Sequence, residues 1–448
     1  MANGPPGSSS ENAARPVSRG RFLQVLGFAF GLAIIVGNTI GVGIMRTPGD
    51  VAALLPSLPW FIGVWIAGGI YALFGAMTLA EPGAMIPKSG GMYIVALRAL
   101  GEYPGFAVGW TDTISTSAAV AAITIAFGEY AEGLVPGLQG RGPLIAIGVT
   151  TVLALIQWRG IRIGDFVQQL TSLLKMLVLT GVAVVCFILP VRQLPPVVVP
   201  LPATATFASV ILALQSVIYT YDGWNGMLYF GSEVKDPGRN VPRGMAGGVL
   251  LVVAIYLFLI LGFSHVLGLS GMAGQNLVAG TAAQAVFGPI GDRVVRLVIL
   301  ISLVSAANAI LLMVQRIPCS MARDGLAPAR LGDLNAGGTP SLSLFFAWAA
   351  TVTLIATGTF ERAIAIAAFY YVFQYGMAFI SVIVMRLREP DAPRPYRAWG
   401  YPVVPVLLTV IAILFMVGVY IGDRKNTLLS LALLALSYPV YRLVKREK

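Results

Sequence analysis

Runs of about twenty apolar residues recur along the whole chain, and they constrain its fold more than any other feature. A helix of this length spans the hydrocarbon core of a bilayer. Only 11% of the residues are charged, whereas a soluble domain carries about 25%. Too few charged side chains are therefore present to cover a water-facing surface, and the sequence predicts an all-α membrane protein.

The apolar runs predict twelve transmembrane helices that are separated by polar segments. These spans cover residues 22–46, 59–86, 103–130, 143–158, 166–190, 205–230, 243–269, 292–316, 341–358, 362–386, 401–421 and 427–443. The polar segment 1–21 is rich in Pro, Gly and Ser and is predicted to be a disordered cytoplasmic N-terminus. Residues 444–448 are predicted to form a short cytoplasmic tail.

The basic residues predict how the chain is oriented in the membrane. Of the 30 Lys and Arg residues, 21 fall on the side that carries both termini and 7 on the other, while Arg46 and Lys175 lie in or near spans. Because cytoplasmic loops carry the excess of basic residues, we expect both termini in the cytoplasm and the protein in the plasma membrane. The net charge of +11 is spread over these loops, so we expect the lipid bilayer as a partner and no nucleic acid.

The first predicted span is interrupted by GNTIGVG at residues 37–43. Glycine costs about 1 kcal/mol relative to alanine inside a helix, and Asn and Thr are also unfavourable there. Two interpretations are open. Either Gly37 and Gly41 allow another helix to pack closely, or the helix unwinds here and exposes backbone groups.

The sixth predicted span is interrupted as well, by VIYTYDGWNG at residues 217–226. Asp-Gly is a turn dipeptide, and an ionisable residue at this depth indicates a functional site. Interrupted spans at corresponding positions of two halves are typical of transporters built from inverted repeats. Half-helix N-termini offer N–H groups to a carboxylate, and half-helix C-termini offer carbonyls to an ammonium. The two breaks therefore suit a zwitterionic amino acid.

Lys175 lies ten residues beyond Asp165, or about 15 Å into the fifth predicted span. A lysine near the end of a span reaches water by snorkelling. At this depth, pairing with backbone carbonyls or a carboxylate is the favoured interpretation. A fixed ammonium in this place would mimic a bound cation.

Several motifs in these spans resemble those of the amino acid–polyamine–organocation superfamily, and within it the L-type amino acid transporters and their bacterial relatives. The most specific motif is YTYDGWNGMLYFGSEVKDPGRNVPRG across span six; the others are GNTIGVGI, LAEPGAMIPKSGGMYI, WRGIRIGDFVQQLTSLLKML and ANAILLMVQRIPCSMARDGLAP. The resemblance implies a LeuT-like fold with broken helices one and six. Residues 22–190 and 205–386 would form two inverted repeats of five spans, and residues 401–443 two peripheral spans.

The resemblance also implies which residues hold the substrate. The substrate carboxylate is expected to meet the N–H groups of Val42 and Gly43. The amine of the substrate is expected to meet the carbonyls of Thr39, Tyr219 and Asp222. The ring of Tyr219 would close over the substrate. The predicted site is completed by Ile40, Gly41, Thr220, Gly223 and Asn225.

Other roles remain open for three of these residues. The ring of Tyr219 could instead pack between helices. The side chain of Asn225 suits an interhelical hydrogen bond equally well, and Asp222 suits helix capping.

The same resemblance implies that Lys175 takes the place of a sodium ion between spans one and eight. Its ammonium is expected to approach a carbonyl at Gly37 or Asn38. A hydroxyl of Ser302 or Ser305 is the second expected partner. Transport would then be independent of sodium.

Two charged residues near the breaks have open roles. Arg46 lies just past the first break and is expected to partner Asp50. Asp112 lies within span three, where a structural ion pair or a water-facing position is the favoured interpretation. Proton coupling is the alternative for Asp112.

Together these features predict a sodium-independent transporter of L-amino acids, most simply neutral ones, that works by alternating access as an exchanger. The alternative carrier is a proton-coupled symporter, with cationic amino acids as candidate substrates. A channel is a third interpretation, because broken helices can also line pores. A membrane enzyme is disfavoured, because His265 is the only histidine and no HExxH, GxSxG or Cys/His metal spacing occurs. No metal or other cofactor is expected.

The resemblance also bears on protein partners. Mammalian members of this family bind a single-span glycoprotein through a cysteine in the loop after span three. The corresponding loop, AEGLVPGLQGRGP, contains no cysteine. We therefore expect no disulfide-linked heavy subunit, and amino acids as the small-molecule partners.

Overall fold

The computed structural model describes residues 22–41, 43–190, 200–357 and 360–446, so the predicted disordered segment 1–21 lies outside the described residues. Within the described ranges the chain forms α-helices and short 3₁₀ turns, and its one strand-like pairing is an isolated bridge between Leu26 and Val234. The helices, numbered in chain order, are α1 (Phe28–Thr39), α2 (Gly43–Leu54), α3 (Leu58–Met85), α4 (Met92–Leu100), α5 (Glu102–Leu134), α6 (Gly142–Trp158), α7 (Ile161–Ile188), α8 (Phe207–Thr220), α9 (Pro237–Met272), α10 (Val278–Phe287), α11 (Gly291–Val314), α12 (Arg316–Arg323), α13 (Ser341–Ala356), α14 (Phe360–Arg388), α15 (Val403–Gly422) and α16 (Arg424–Arg446).

Eight helical segments of the described chain are long and apolar enough to cross a membrane. The pair α1 and α2, bent by 52° at the break between them, is a ninth candidate. Helices α6, α8 and α13 coincide with three further predicted spans but are shorter, with 17, 14 and 16 residues. The all-α, multi-pass membrane fold is therefore confirmed, while the number of twelve spans stays a prediction.

Two further helices lie between the predicted spans. Helix α4 has nine residues and α10 has ten, and most of their side chains are buried. Both are too short to cross a bilayer, which is why a search for runs of bilayer length does not find them.

The interior of the bundle is formed by helices that contact several others. Helix α1 packs against α7, α9 and α11, and α5 packs along α11 and α14. Helices α15 and α16 are far less enclosed, since 17% of the apolar stretch of each is buried, against 78% for residues Arg293–Arg323. The two last helices therefore lie at the periphery of the bundle, with apolar faces that suit lipid.

A buried ion pair lies at the end of the bundle that carries most of the basic residues, called the basic end below. Arg316 donates two hydrogen bonds, of 2.6 and 2.8 Å, to the carboxylate of Glu233, and both side chains are almost entirely buried. Lys88 pairs with Asp324 nearby at 2.8 Å, with its side chain half exposed. The first pair joins the loop after α8 to α12, and the second joins the loop after α3 to the loop after α12.

A second group of ion pairs holds the end of α14 at the basic end. Glu81 in α3 accepts hydrogen bonds from Arg386 at 2.6 and 2.8 Å and from Arg394 at 3.1 Å. Two hydrogen bonds from the Arg98 guanidinium hold the pKa of the Glu389 carboxyl below its usual value. These residues lie at helix ends and in loops on the side on which the charge count places both termini, so the ion pairs hold that end of the bundle together.

Candidate functional site

The first break separates α1, which ends at Thr39, from α2, which begins at Gly43. The first N–H groups of α2 have no partner within the helix, since every helix leaves its first four unbonded. Gly41 borders a cavity, and a Cβ atom there would meet no neighbour within 4 Å. The packing interpretation therefore does not hold for Gly41. Val42 lies outside the described residues.

Gly37 has the opposite environment. A Cβ atom at this position would overlap the side-chain nitrogen of Gln168 on α7. Glycine suits this position because α1 and α7 approach each other closely and a larger residue would displace the Gln168 side chain, as the packing interpretation states. The two glycines of the GxxxG pattern thus serve different purposes.

The second break follows α8, which ends at Thr220; the chain then turns before the 3₁₀ segment Gly226–Phe230. Gly223 in this turn has a φ of +117°, a conformation that side chains rarely adopt. A Cβ atom on Gly223 would lie 2.8 Å from the hydroxyl oxygen of Thr39 and 2.9 Å from its backbone nitrogen. Glycine at this position therefore lets the two breaks touch.

Two hydrogen-bonding side chains hold the breaks together. The amide of Asn38 donates to the carbonyl of Gly223 at 2.9 Å. The hydroxyl of Tyr256, on α9, lies 3.0 Å from the carbonyl oxygen of Thr39 and 3.1 Å from that of Thr220, so one donor bridges both helix ends. Sequence reasoning misses Tyr256, because a buried aromatic residue in an apolar span carries no signal of its own.

Two of the three carbonyls expected to hold an amine already accept one hydrogen bond. Thr39 accepts from Tyr256, and the carbonyl of Tyr219 accepts from the N–H of Asp222 at 3.2 Å. Each carbonyl oxygen has two lone pairs, so a second donor can still bind. The carboxylate of Asp222 accepts a hydrogen bond from the hydroxyl of Tyr375.

Lys175 is fully buried in α7, and its ammonium donates to the carbonyls of Gly37 at 3.1 Å and Ile40 at 2.5 Å. The contact with Gly37 is the expected one. Both carbonyls belong to the unwound end of α1, where they lack the partners that a continuous helix would supply. Lys175 therefore stabilises the first break directly.

The expected contact of Lys175 with a serine on α11 is corrected by the structure. Ser305 shares a hydrogen bond of 3.3 Å with Ser172 instead. The hydroxyl of Ser302 is buried without a hydrogen-bond partner among the described residues. The ammonium turns towards α1 because two strong carbonyl acceptors are available there.

Lys175 belongs to a polar face of α7 that also contains Gln168 and Ser172. Both of these side chains donate to the carbonyl of Ala33 in α1, at 3.1 and 2.8 Å. Asn308 on α11 donates to Gln168 at 2.9 Å. The signal that could have revealed this face is the spacing of three polar residues at i, i+4 and i+7 in an apolar span.

A cavity of about 340 Å³ lies beside the two breaks. It extends along α5 from Glu129 to Thr116, thirteen residues or about 20 Å of helix. Glu129 lies near the end of α5 that is remote from the basic end, so the cavity opens away from the basic end. Its wall brings together Asn38, Thr39, Gly41, Gly43, Tyr219, Thr220, Asp222, Gly223 and Asn225.

Tyr219 stands between this cavity and a second one of about 330 Å³. Sixty per cent of the Tyr219 surface is accessible, which is not the environment of a ring packed between helices. Asn225 is buried in the cavity wall, and its side chain forms no hydrogen bond with a described residue. The second cavity shares Asp222 with the first, and α15 contributes Phe415 to its far wall.

Asp112 neither pairs with a cation nor faces water, which corrects the favoured expectation. Its side chain is fully buried. Its carboxylate accepts hydrogen bonds from Thr116 at 2.9 Å and from Tyr229 at 2.9 and 3.0 Å. Within the described chain no Lys, Arg or His forms an ion pair with it, because the surrounding helices bring hydroxyl groups to this place.

Arg46 also differs from its expected contact. Its guanidinium donates to the carbonyl of Asn276 at 3.2 Å and does not pair with Asp50. Arg46 borders the first cavity, whereas Asp50 borders the second. Although they are four residues apart on α2, the two side chains therefore point into different cavities.

Comparison with known proteins decides what kind of protein carries this cavity. Residues 22–435 match the family described as amino acid permease. The chain belongs to the amino acid permease family. This membership confirms the resemblance on which the LeuT-like expectation rests, and it identifies the protein as a permease and not an enzyme.

Three relatives of this permease illustrate the family. It is 29% identical to the serine/threonine exchanger SteT of Bacillus subtilis, over 94% of this chain and 97% of the relative. It is 28% identical to the b(0,+)-type amino acid transporter 1 of Rattus norvegicus, over 88% of this chain and 81% of the relative. It is 27% identical to the large neutral amino acids transporter small subunit 2 of Mus musculus, over 97% and 84%.

Proposed function

We propose that this permease is a sodium-independent exchanger of L-amino acids, chiefly neutral ones, that works by alternating access. The observation that carries the proposal is the contact between two unwound helix segments beside one cavity, made by Asn38 and Gly223. The names of two relatives, an exchanger of serine and threonine and a transporter of large neutral amino acids, support the substrate class. The moving parts are the two repeats, residues 22–190 and 205–386.

The two breaks bind the part that all amino acids share. The substrate carboxylate accepts hydrogen bonds from the N–H groups of Val42 and Gly43, where the dipole of α2 favours a negative charge. The ammonium donates to the carbonyls of Thr39, Tyr219 and Asp222, the first two of which already accept one hydrogen bond each. The substrate side chain then occupies the remainder of the cavity.

Six residues complete this site. Gly41 leaves room for the substrate backbone, and Tyr219 moves over the occupied site. The remaining contacts are made by Thr220, Gly223 and Asn225, which border the cavity. Ile40 contributes indirectly, because its buried side chain does not border the cavity and its carbonyl binds Lys175.

Lys175 makes transport independent of sodium. In this proposal its ammonium supplies the positive charge that a sodium ion would supply between α1 and α11. The hydrogen bonds to Gly37 and Ile40 support this role, because carbonyl oxygens are also the ligands of hard cations. The same contacts keep the first break unwound without an ion.

The orientation follows from the charges. We place the protein in the plasma membrane with both termini, and therefore the closed basic end, in the cytoplasm. The cavity then opens to the outside, and the pair of Glu233 and Arg316 closes the inner path. The absence of a cysteine after span three supports a protein that functions without a disulfide-linked heavy subunit.

Counterflow in liposomes tests the proposal. Purified protein is reconstituted in liposomes that are preloaded with one unlabelled amino acid, and the uptake of a labelled amino acid is followed in sodium and in choline buffer. We expect preloading to accelerate uptake equally in both buffers. An uptake rate that does not depend on preloading would indicate a channel. Loss of uptake in choline buffer would contradict the role of Lys175.

Proton-coupled uptake is the second candidate function. The observation that favours it is the pair of carboxylates, Asp112 beneath the cavity and Asp222 in its wall, neither of which has a cationic partner among the described residues. A cationic amino acid would find Asp222 within the cavity. Uptake into empty liposomes that depends on an inward proton gradient would favour this candidate, and no uptake without preloading would favour exchange.

A further inference from the structure

Asp112, Thr116 and Tyr229 form a hydrogen-bonded cluster at the floor of the first cavity, and we call this cluster the acceptor floor. Thr116 lies one helical turn beyond Asp112 on α5, and Tyr229 comes from the 3₁₀ segment after the second break. Thr116 and Tyr229 border the cavity, whereas Asp112 lies behind them, fully buried. Thr116 and Tyr229 are themselves almost fully buried, and these two side chains separate the carboxylate from the cavity.

The carboxylate determines the direction of both hydrogen bonds. While Asp112 is ionised its carboxylate can only accept, so in that state the hydroxyl groups of Thr116 and Tyr229 donate to it. Each hydroxyl has one proton, and that proton is used at 2.9 to 3.0 Å from Asp112. In the cavity, the two oxygens can then act only as acceptors.

We propose that the acceptor floor makes this permease select amino acids whose side chain carries a neutral hydrogen-bond donor, above all a hydroxyl group. The inference rests on the proposed function, since it concerns the substrate side chain in the same cavity. A site built to accept a hydrogen bond rejects an analogue that lacks the donor, because the buried acceptors are then left unpaired. Thr116 and Tyr229 are therefore specificity-determining residues, and Asp112 positions them.

The part of the cavity next to the floor favours a neutral donor over a cation. Its walls beside the floor are apolar and include Ala119, Ala122 and Ile123 on α5 and Ile310 and Met313 on α11. Moving an ammonium group from water into such surroundings is costly without direct contact with an opposite charge. Asp112 does not border the cavity and offers no such contact. The carboxylates that do border it, Asp222 and Glu129, belong to the second break and to the far end of α5.

Paired substrates test the inference in the preloaded liposomes described above. Threonine and valine have nearly the same shape, and serine differs from alanine by one hydroxyl, so each pair isolates the donor. We expect the wild-type protein to exchange the hydroxyl member of each pair about tenfold more efficiently, as one net hydrogen bond allows. The measured ratio is the exchange efficiency for the hydroxyl substrate divided by that for its apolar partner. Tyr229→Phe and Thr116→Val should bring this ratio towards one for both pairs. Asp112→Asn should also lower the ratio, because a hydroxyl proton is then no longer used by the carboxylate.

Tyr370→Phe is the matched control. Its hydroxyl is also buried and bonded, at 2.9 Å to the carbonyl of Ser430, but it does not border the cavity. The ratios of exchange efficiency for threonine over valine and for serine over alanine should be the same in Tyr370→Phe as in the wild type. Thr116→Val preserves shape, so it remains informative if Tyr229→Phe does not fold.

The outcomes separate this inference from the proposed function. Wild-type ratios near one, or ratios that Tyr229→Phe and Thr116→Val leave unchanged, overturn the acceptor floor while exchange itself stands. A preference for lysine over serine also overturns it, because the selected donor would then be a cation. If no amino acid is exchanged at all, the proposed function fails and this inference fails with it.

Discussion

The side-chain amide of Asn38 donates a hydrogen bond of 2.9 Å to the carbonyl oxygen of Gly223, which lies 185 positions further along the chain. This bond joins the unwound end of α1 to the turn after α8. Tyr256 adds a second link, from α9 to both helix ends. Because the two breaks are held side by side, the free backbone groups of both face the same cavity.

Replacing Asn38 by Ala should separate the two breaks. The carbonyl of Gly223 would lose its donor, and we expect the free energy of unfolding to fall by about 1 kcal/mol and exchange to fall more strongly than stability. Thermal unfolding in detergent and counterflow measure the two effects. Asn240→Ala is the control, because that amide also bonds a backbone carbonyl, but at the surface. Equal exchange in both variants would contradict a role for the link.

Lys175→Met should abolish most exchange. Two carbonyls, of Gly37 and Ile40, would lose a charged donor in the bundle interior, and such hydrogen bonds contribute about 1.5–3 kcal/mol each. We expect the rate of counterflow to fall at least tenfold, which corresponds to a free-energy difference of about 1.4 kcal/mol. Lys88→Met, at a half-exposed surface pair, should retain exchange. Full activity of Lys175→Met would show that the ammonium does not substitute for an ion.

Gly37→Ala and Gly41→Ala should differ although both add one methyl group four residues apart. The methyl at 37 would displace Gln168 and break its hydrogen bonds to α1 and α11, so the melting temperature should fall. The methyl at 41 meets open space, so stability should be preserved while the cavity becomes narrower and KM rises. Melting curves and KM values of the two variants test these expectations. An equal loss of stability in both would contradict the assignment of Gly37 to helix packing and Gly41 to the cavity.

Tyr219→Ala should weaken substrate binding. The ring is 60% accessible in the open cavity, and burying an aromatic ring against a ligand contributes about 1.5–3 kcal/mol, so KM should rise about tenfold or more. Tyr219→Phe keeps the ring and is the control, with a KM near that of the wild type. A KM for Tyr219→Ala that matches the control would mean that the ring does not close over substrate.

Breaking the buried pair of Glu233 and Arg316 should destabilise the closed basic end. Glu233→Gln leaves a buried guanidinium without its counter-charge, which costs about 3–5 kcal/mol. The double variant Glu233→Leu with Arg316→Met should unfold at a higher temperature than the single variant, since no charge remains buried. Lys88→Ala, at the exposed pair, should cost less than about 1 kcal/mol. A single variant as stable as the double one would contradict this account.

The positions of most helices and of the two breaks can be inferred from the sequence. Apolar runs predict the membrane helices, because no other backbone form satisfies its hydrogen bonds within one segment. Gly37, Gly41 and the Asp222-Gly223 pair predict the two breaks, because these residues are unfavourable in a helix interior. Helices α4 and α10 escape prediction, since they are shorter than the bilayer is thick.

The sequence does not determine which residues bind the backbone and side-chain groups that the two breaks expose. The sequence alone determined where helices run, where two of them break and that a lysine lies deep in the bundle. Only the tertiary structure decided that Lys175 also bonds Ile40 and bonds no serine on α11, that Tyr256 bridges the breaks, and that Asp112 accepts hydrogen bonds from two hydroxyl groups. The physical reason is that unwinding depends on neighbouring residues in the chain, whereas the partner of each freed group comes from a helix that is distant in sequence and near only after packing.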